Sequence, residues 1–554
     1  MLFEKVGPYT PRQAEWSPHQ LESLLISRWG ENLGVEHLVQ YLVVAQHHFG
    51  EISSDTISWL QQTTGCSQSH IQSLLDFYYF LRQEPAPSYM IYLANNIIEQ
   101  QAGLEPVYRT LQTKLKPSRA RLHLTSCIGL SDQPLSALVN GHAISRIKPA
   151  NVDELCELIL NELPLQQWPQ HWFAGPSQLR HPGPLTQFQY QPGSALAQLE
   201  SLSSQQIIDR IQSSGLRGLG GAGFPTAHKW QHCLNQSTQP KFVICNADEG
   251  EPGTFKDRYY LMQKLDAMVD GMIIAAKAIQ ASAGYIYLRA EYINLYSQIE
   301  HCLQQKRAQG WLGKDFDVEL QLGAGAYVCG EESALMESIE GKRGIPRSKP
   351  PYPGQCGLFG APTIVNNVET FVAATYIMQQ GSQHFSQRGT TQSKGSRLLS
   401  VSGDCKHPGL YELAMGTPLT HLLDLCGAAN TQAVQVGGPS GHLYFQHELD
   451  TALDFESHSG GSGIMIFNQE RDLTEVAQNF MAFFQHECCG FCTPCRAGTQ
   501  MQSAMLQQYQ QGKRDSEDLI ELCDLMKTTS QCGLGKTAGN PLMNLLRMET
   551  GDEQ

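Results

Sequence analysis

The sequence predicts a multidomain α/β chain: helical at both ends, layered α/β at its centre, with a short run of strands behind the centre. Three observations carry this. Helix-spaced and strand-like apolar segments alternate between residues 201 and 390, the pattern of helices layered on a sheet. Two segments, 215–225 and 323–330, concentrate glycine. Near the C-terminus three cysteines at two-residue spacing stand between helix-like stretches. With 554 residues the chain has room for about three to five domains.

Composition excludes several functions. A hydrophobic fraction of 41% and a charged fraction of 17% suit a globular protein with ample core. A formal charge of −14 argues against a nucleic-acid partner, which needs a basic face. Residues 1–10 lack the basic-then-apolar pattern of a leader. The most apolar stretch, Met268 to Ala281, is broken by Asp270 and Lys277, so no membrane span is expected. Sixteen cysteines without a leader point to metal ligation and buried thiols in a reducing compartment, hence to the cytoplasm.

Residues 1–88 read as helices, with apolar stripes at His37–Val44, Thr56–Gln61 and Ile71–Leu81 and stops at Gly50, Gly65 and Pro85 to Pro87. The aromatic run Phe77, Tyr78, Tyr79, Phe80 reads as core packing in preference to a docking face. Residues 89–150 give a strand (Met90–Leu93), a helix from Asn96, a second strand (Leu122–Leu124) and a hairpin, a small α/β layer. Residues 151–200, with Trp168, Trp172 and several prolines, show little periodicity. They read as an irregular connector, long enough to be an ordered wrap over a neighbour.

Residues 201–390 hold the densest motifs. Gly215, Gly218, Gly220, Gly221 and Gly223 fall within nine positions; a backbone without side chains can lie against a ligand and point N–H groups at an anion. Arg217 and Lys229 frame this loop with positive charge, and the strand Phe242–Cys245 then delivers Asn246, Asp248, Glu249 and Glu251. The combination reads as a nucleotide or flavin site. Gly218, Gly220 and Gly223 also satisfy G-x-G-x-x-G, but the Rossmann motif follows a strand and opens a helix. Here helix-spaced Ile207–Gln212 precedes it, and Pro225 stands where the helix should be under way. A flexible linker would not carry Phe224, Trp230 and flanking charges.

Leu265–Ala281 reads as a helix, Gly284–Arg289 as a strand, and Ala290 to Tyr292 as the start of another helix. In the second glycine segment Gly323, Gly325 and Gly330 clear space for a flat ligand. Glu331 and Glu332 open a helix (Ser333–Glu340), where the dipole alone would favour them; Tyr327 and the three glycines beside them favour a site. Lys342, Arg343, Arg347 and Lys349 form a basic cluster suited to a pyrophosphate, or else a solvated face. Tyr352 follows two prolines, and Asn366 and Asn367 complete the polar set.

Residues 391–465 show strand alternation with Pro408-Gly409 as a turn and a short strand at Val434 to Gly438. Packing between neighbouring domains is expected of them, and nothing catalytic. Residues 466–554 are helical. Cys489, Cys492 and Cys495 follow C-x2-C-x2-C, and Cys532 lies in S-Q-C-G-L-G. Zinc sites use separated C-x2-C pairs; three thiolates on a tight arc with one remote cysteine is iron–sulfur spacing, here for a 4Fe-4S cluster. The spacing selects Cys489 over its neighbour Cys488, and Cys523 reads as helix packing.

The segments G-L-R-G-L-G-G-A-G-F-P-T and C-N-A-D-E-G-E-P-G-T-F-K-D-R resemble the FMN- and NADH-binding motifs of the flavoprotein subunit of respiratory complex I. The same module serves in soluble NAD-reducing hydrogenases and NAD-dependent formate dehydrogenases. Residues 20–147 are similar to the thioredoxin-like small subunit that carries a two-iron cluster, and 391–465 resemble the ubiquitin-like β-grasp insert of the family. Fusion of these parts, with I-Y-L-A-N, C-I-G-L-S-D-Q and L-L-S-V-S-G-D-C, resembles the diaphorase subunit of soluble NAD-reducing nickel–iron hydrogenases.

The resemblance implies that Gly218, Gly220, Gly221, Lys229, Asn246, Asp248, Glu249, Tyr327, Gly330, Glu331, Asn366 and Asn367 hold FMN. It implies that Phe224 and Tyr352 sandwich the adenine of NAD(H), and that Glu251, Glu332 and Lys349 contact the nicotinamide end and its ribose. Hydride would pass directly between nicotinamide and flavin, so no catalytic acid or base is implied. Single electrons would pass between FMN and the cluster on Cys489, Cys492, Cys495 and Cys532. The implied reaction is H2 + NAD+ ⇌ NADH + H+, with an iron–sulfur electron-transfer subunit and hydrogenase subunits as partners. The alternatives are the NADH-input subunit of a complex I or formate dehydrogenase, and a redox-inactive scaffold; the intact cysteine set beside the full flavin motif argues against the scaffold. The small domain departs from its family. Only Cys127 stands at a ligand position, Ser131 occupies the next, Ala94 sits in the first loop, and no cysteine lies between Cys66 and Cys127. One thiolate cannot hold a two-iron cluster. The domain is expected to be empty, a docking surface with Cys127 as an inert buried thiol.

Overall fold

A computed structural model describes residues 14–457 and 460–550; residues 1–10, read above for a leader, lie outside the described residues. Side-chain caps start the N-terminal helices. Ser17, Ser53 and Ser67 accept backbone N–H bonds at the heads of α1 (Pro18–Trp29), α3 (Ser54–Thr64) and α4 (Gln68–Leu75). Between them α2 (Leu38–Phe49) is buried on nearly every side. The helix expected to reach Leu81 stops at Leu75. Phe77 to Phe80 turn away, and the N–H groups of Tyr79 and Phe80 each donate at 3.0 Å to the carbonyls of Gly325 and Ala324. Tyr78 and Phe80 are buried in the core, where the aromatic run packs.

The small domain has β1 (Tyr89–Ala94), α5 (Ile97–Gln101), α6 (Leu104–Lys114), β2 (Ala120–Thr125), β3 (Ala137–Val139) and β4 (His142–Ile144). Its sheet runs β2-β1-β3-β4, with β1 and β2 parallel and the rest antiparallel, a thioredoxin-like layer. The stretch read as an irregular connector contains a nine-residue helix. Its α7 (Val152–Leu160), with Trp168 and Trp172, completes the small domain's core. Then come β5 (Leu179–His181), α8 (Pro184–Gln187) and α9 (Ser194–Ala197).

The central domain comprises α10 (Ser204–Ser214), α11 (Thr226–Leu234), β6 (Phe242–Ala247), α12 (Lys256–Gln263), α13 (Leu265–Ile279), β7 (Ala283–Leu288), α14 (Tyr296–Ala308), β8 (Asp317–Leu322), α15 (Glu332–Ile339), β9 (Thr363–Asn367), α16 (Val368–Gln380) and α17 (Ser382–Ser386). All four strands are parallel, in the order β8-β7-β6-β9. The central strands β6 and β7 are apolar runs, as buried parallel strands are, while the edge strand β8 alternates. The order grows outward from β6 through β7 to β8 and then returns to the other side of β6. A switch point therefore lies between β6 and β9, where open parallel sheets bind ligands beyond their carboxyl ends.

The β-grasp domain holds β10 (Ser396–Gly403), β11 (Gly409–Ala414), β12 (Thr417–Pro418), α18 (Leu419–Cys426), β13 (Thr431–Val436), β14 (His442–Phe445), β15 (Ala452–Leu453) and β16 (Gly463–Asn468). Its main sheet runs β14-β13-β16-β10-β11-β5, with β10 and β16 parallel at the centre. The edge strand β5 comes from the connector. The C-terminal bundle is α19 (Leu473–Glu487), α20 (Thr493–Gln510), α21 (Ser516–Thr529), α22 (Gly533–Thr537) and α23 (Asn540–Thr550). Its core takes in Val328 and Ala334 of the central domain.

Candidate functional site

Strand register builds the floor of the site. Pairing of β6 with β9 sets Cys245 beside Asn366 and Asn246 beside Asn367, so three asparagines stand together at the switch point. Each is oriented by a neighbour. Asn246 Nδ2 donates to the Gly330 carbonyl at 2.9 Å, Asn366 Oδ1 accepts from Trp230 Nε1 at 2.9 Å, and Asn367 caps α16. Asn367 is held hardest: Lys256 Nζ donates to its Oδ1 at 2.9 Å and its Nδ2 donates to Asp257 at 2.6 Å. Lys256 is itself buried between Asp257 and Glu369, at 2.7 and 2.9 Å.

The first glycine segment lies over this floor. It leaves one helix, α10, and enters another, α11, which rules out the Rossmann arrangement. Arg217 and Pro225 pair across its neck, and Gly218 N–H donates to the Phe224 carbonyl at 2.9 Å. A Cβ on Gly220 would stand 2.6 Å from that of Asn367, so the backbone touches the floor there; a Cβ on Gly221 would meet nothing within 4 Å. Arg217 does not face a ligand. Its guanidinium stacks 4.6 Å from the Phe455 ring and pairs with Glu456 at 3.3 Å, both in the β-grasp domain. Phe224 and Tyr352 stand out into solvent, 58% and 57% exposed.

The second glycine segment faces the first. Lys229 of α11 reaches Glu332 at 3.3 Å and the Val365 carbonyl at 3.0 Å. Glu331 caps α15, accepting from Ser333 and Ala334 N–H groups at 2.8 and 3.0 Å, and its other oxygen pairs with Lys349 at 2.7 Å. Lys349 also pairs with Glu332 at 2.8 Å. Burial alone would raise the Glu332 carboxyl, but Lys229 and Lys349 together hold it below the usual carboxylate range. The basic cluster read for a pyrophosphate is divided. Lys342 and Arg347 are neutralised by Glu340, at 2.7 and 2.8 Å, and both also lie against Glu337; Arg343 is exposed, and Lys349 joins the site residues through Glu331 and Glu332.

The acidic row after β6 splits three ways. Asp248 has an Oδ2 buried without a partner, and burial pushes its carboxyl up to about 8. Glu249 turns into the protein: it accepts from the Asp257 N–H and the Tyr292 hydroxyl, each at 2.8 Å. Burial, then Asp257, pushes its carboxyl up to about 7. Glu251 is buried against Tyr327, whose hydroxyl donates to it, and burial raises its carboxyl. A cavity of about 40 Å³ joins Asp248 and Tyr327 to Cys127 of the small domain and Glu487 at the end of α19. A larger one, about 630 Å³ between α1 and the β7–β8 edge, contains none of the residues read as a site.

Glu487, which sequence reading missed, ties three domains. It accepts from Ser126 Oγ at 2.5 Å and from the Tyr327 N–H at 3.2 Å. Arg289, also missed, pairs with Glu291 at 2.7 Å and donates to the carbonyls of Cys127 and Glu249. Neither carries a local motif.

The cysteine loop follows directly. Cys492 stands at the N-cap position of α20 and Cys532 at that of α22, and burial raises the Cys532 thiol. Cys495 is buried one turn into α20, and a Cβ on Gly535, just beyond Cys532, would stand 2.9 Å from its Cβ. The remote cysteine is thus folded back onto the other three. Cys488 lies 3.3 Å from Cys495, sulfur to sulfur. All sixteen cysteines are unpaired thiols.

Both groups implied by the sequence fit their residues. Gly221 opens to free space beside Gly220, which rests on Asn367, and Asp248 and Asn246 flank Gly330 with one orphaned carboxylate oxygen; this set suits a flat polyhydroxylated ligand such as FMN. Four converging thiols, two at helix N-termini, suit a 4Fe-4S cluster. The small domain does not fit a two-iron cluster. At its loops stand Ala94, Cys127 with its sulfur accepting the Gly129 N–H at 3.3 Å, and Ser131 with a buried, unpartnered hydroxyl.

Comparison with known proteins agrees with this geometry. The Nuo51 FMN-binding domain family matches residues 211–376, the iron–sulfur binding region of NADH-ubiquinone oxidoreductase-F matches 475–549, and the thioredoxin-like 2Fe-2S ferredoxin family matches 32–159. The alpha subunit of the NAD-reducing hydrogenase HoxS from Cupriavidus necator is 39% identical over 541 residues, covering 92% of this chain and 90% of that protein. This chain belongs to the HoxS alpha-subunit family. It is an oxidoreductase subunit with an FMN-binding domain and a 4Fe-4S region. A crystal structure of an NAD+-reducing NiFe-hydrogenase in the H2-reduced state superposes with a TM-score of 0.87 at 37% identity, over 92% of this chain and 91% of that one. The mitochondrial 51 kDa subunit of NADH-ubiquinone oxidoreductase of Neurospora crassa is 37% identical over 368 residues, 62% of this chain and 75% of that protein. The HoxS alpha likeness therefore takes in a further part of the chain that this shorter match leaves out.

Proposed function

We propose that the chain is the NAD(H)-facing diaphorase subunit of a soluble NAD-reducing hydrogenase, working in the cytoplasm with an iron–sulfur subunit and hydrogenase subunits. The observation that carries this is the shared turn Tyr327–Glu331. Tyr327 binds Glu251 on the nucleotide side, while Val328 packs into the core that holds Cys495. Held there, FMN would supply two-electron hydride chemistry and the 4Fe-4S cluster one-electron transfer. The chain's residues hold and orient.

Gly218, Gly220, Gly221, Lys229, Asn246, Asp248, Tyr327, Gly330, Glu331, Asn366 and Asn367 form the FMN shell, with Glu249 behind it, its carboxylate turned to the Asp257 N–H and the Tyr292 hydroxyl. Phe224 and Tyr352 flank the adenine; Glu251, Glu332 and Lys349 receive the nicotinamide end. Cys489, Cys492, Cys495 and Cys532 grip the cluster. Stacking two rings at reacting distance needs no protein acid or base. The match to HoxS alpha, over 92% of this chain and 90% of that protein, supports the hydrogenase reading over a complex I flavoprotein, whose match takes in 62% of this chain. Sixteen unpaired thiols support a reducing compartment.

Purification of the native complex tests this. The expected result is extractable FMN, about four irons per chain and not six, NADH-driven dye reduction and a nickel-containing partner. A molybdenum or quinone-reducing partner would remove the hydrogenase reading; a colourless, inactive chain would leave only a scaffold.

A further inference from the structure

The β-grasp domain, expected only to pack, reaches into this site. After β13 the chain turns through Gly437, Gly438, Pro439, Ser440 and Gly441. Gly437 and Gly438 have φ of 92° and 68°, where side chains are disfavoured. The turn is pinned: Gly437 N–H donates to the Gly463 carbonyl at 2.8 Å, and Gln435 Nε2 to the Gly438 carbonyl at 2.6 Å. Its tip rests on Glu251. A Cβ on Gly438 would stand 2.5 Å from Glu251 Cγ and 2.6 Å from Oε1. Ser440 N–H donates to Oε1 at 2.9 Å and Ser440 Oγ to Oε2 at 3.1 Å. From the far side Asn540, first residue of α23, donates to the carbonyls of Ser440 and Gly441 at 3.0 and 3.2 Å.

Ser440 Oγ also lies 3.0 Å from the Tyr327 hydroxyl. Two hydroxyls and one carboxylate oxygen thus form a triangle with only two hydroxyl protons. With Glu251 ionised, both protons point at Oε2 and the N–H points at Oε1, so neither carboxylate oxygen is free to swing. Ser440 supplies two of those three donors. We infer that Ser440 is a positioning residue for the nicotinamide subsite, fixing Glu251 in its receiving orientation, with Asn540 coupling that orientation to the cysteine bundle. The inference rests on the placement of Glu251 in that subsite proposed above.

The test uses the purified complex carrying Ser440→Ala, Ser440→Thr, Glu251→Gln and the double variant S440A/E251Q. Measured are NAD+ affinity by calorimetry, KM and kcat for NADH with a dye, and extractable FMN. Ser440→Ala, losing one donor to a charged group, should weaken NAD+ binding and raise KM about tenfold. It should change kcat by less than about twofold and leave FMN content at the wild-type level. Ser440→Thr should restore affinity, and the double variant should bind no more weakly than Glu251→Gln, because both remove one interaction. Additive losses, or normal affinity in Ser440→Ala beside an impaired Glu251→Gln, would overturn the role of Ser440. FMN loss in Ser440→Ala would mark it as flavin-pocket support, also against the inference. A silent Glu251→Gln would instead remove Glu251 from the subsite, and the inference with it.

Discussion

Gly220 and Gly221 are neighbours in sequence with opposite surroundings, and this gives the sharpest test of the glycine loop. Neither has a positive φ, so alanine adds no backbone strain at either. At Gly220 the added methyl would sit 2.6 Å from Asn367 Cβ and 2.9 Å from its Cγ. Asn367 cannot yield, because Lys256, Asp257 and the Glu369 N–H hold its amide. Overpacking of this kind costs about 1–3 kcal/mol, or about 2–12 °C in the melting of a domain this size. At Gly221 the methyl meets nothing within 4 Å, and alanine should leave the cofactor-free chain as stable or about 0.5 kcal/mol more stable. The open space beyond Gly221 is where the proposed FMN lies, so Gly221→Ala should weaken flavin binding while folding normally. The assay is calorimetric melting of flavin-stripped protein, followed by fluorescence titration with FMN. If Gly221→Ala melts as early as Gly220→Ala, the loop does not lie as described. If it binds FMN with wild-type affinity, Gly221 is not a flavin contact.

Three further outcomes follow from the site. Asp248 has a folded-state pKa, about 8, above its unfolded value. Between about pH 4 and 8 the folded chain therefore retains a proton that the unfolded chain releases, and stability falls with rising pH by at most about 1.4 kcal/mol per unit. In flavin-free protein, Asp248→Asn should flatten this slope in a pH series of melts; an unchanged slope would show that the carboxylate is solvated. Lys349→Met should raise KM for NADH with FMN retained. It should also reduce the stability lost on acidification below about pH 4.3, because Glu332 is depressed by Lys229 and Lys349 and its contribution disappears as it protonates; flavin loss would move Lys349 to the FMN shell. Cys489→Ser and Cys532→Ser should lose the cluster's iron and visible absorbance, while Cys488→Ser and Cys523→Ser keep about four irons. Iron loss in Cys488→Ser would reassign the ligand, a live comparison because Cys488 approaches Cys495 at 3.3 Å.

Segments whose neighbours are local in sequence were legible. The buried helix Leu265–Ile279, the strands Phe242–Ala247 and Ala283–Leu288, both glycine segments and the cysteine spacing all announce themselves within a few residues. Misreadings came from partners, near or far along the chain, that no periodicity marks. The helix thought to run through Phe77 to Phe80 is ended by bonds to Gly325 and Ala324. Lys342 and Arg347 look available in sequence, yet Glu337 and Glu340 fold back onto them. Ser440 shows only a Gly-Gly-Pro-Ser-Gly turn; its meaning depends on Glu251, nearly two hundred positions earlier. Glu249 sits in the motif, but its carboxylate serves the head of α12.

Because Leu179–His181 forms the outer edge of a sheet whose next strand is Gly409–Ala414, the ribosome delivers one half of that ladder long before the other. The central domain is synthesised in between. Glu412 then fastens the junction, accepting from the Leu185 and Thr186 N–H groups at 2.9 and 2.8 Å. A nascent chain halted before Gly409 leaves this strand unpaired, and an exposed edge invites association with other chains. Truncations that keep the flavin domain but omit residues beyond 390 should consequently aggregate unless the segment from Leu179 to His181 is removed as well.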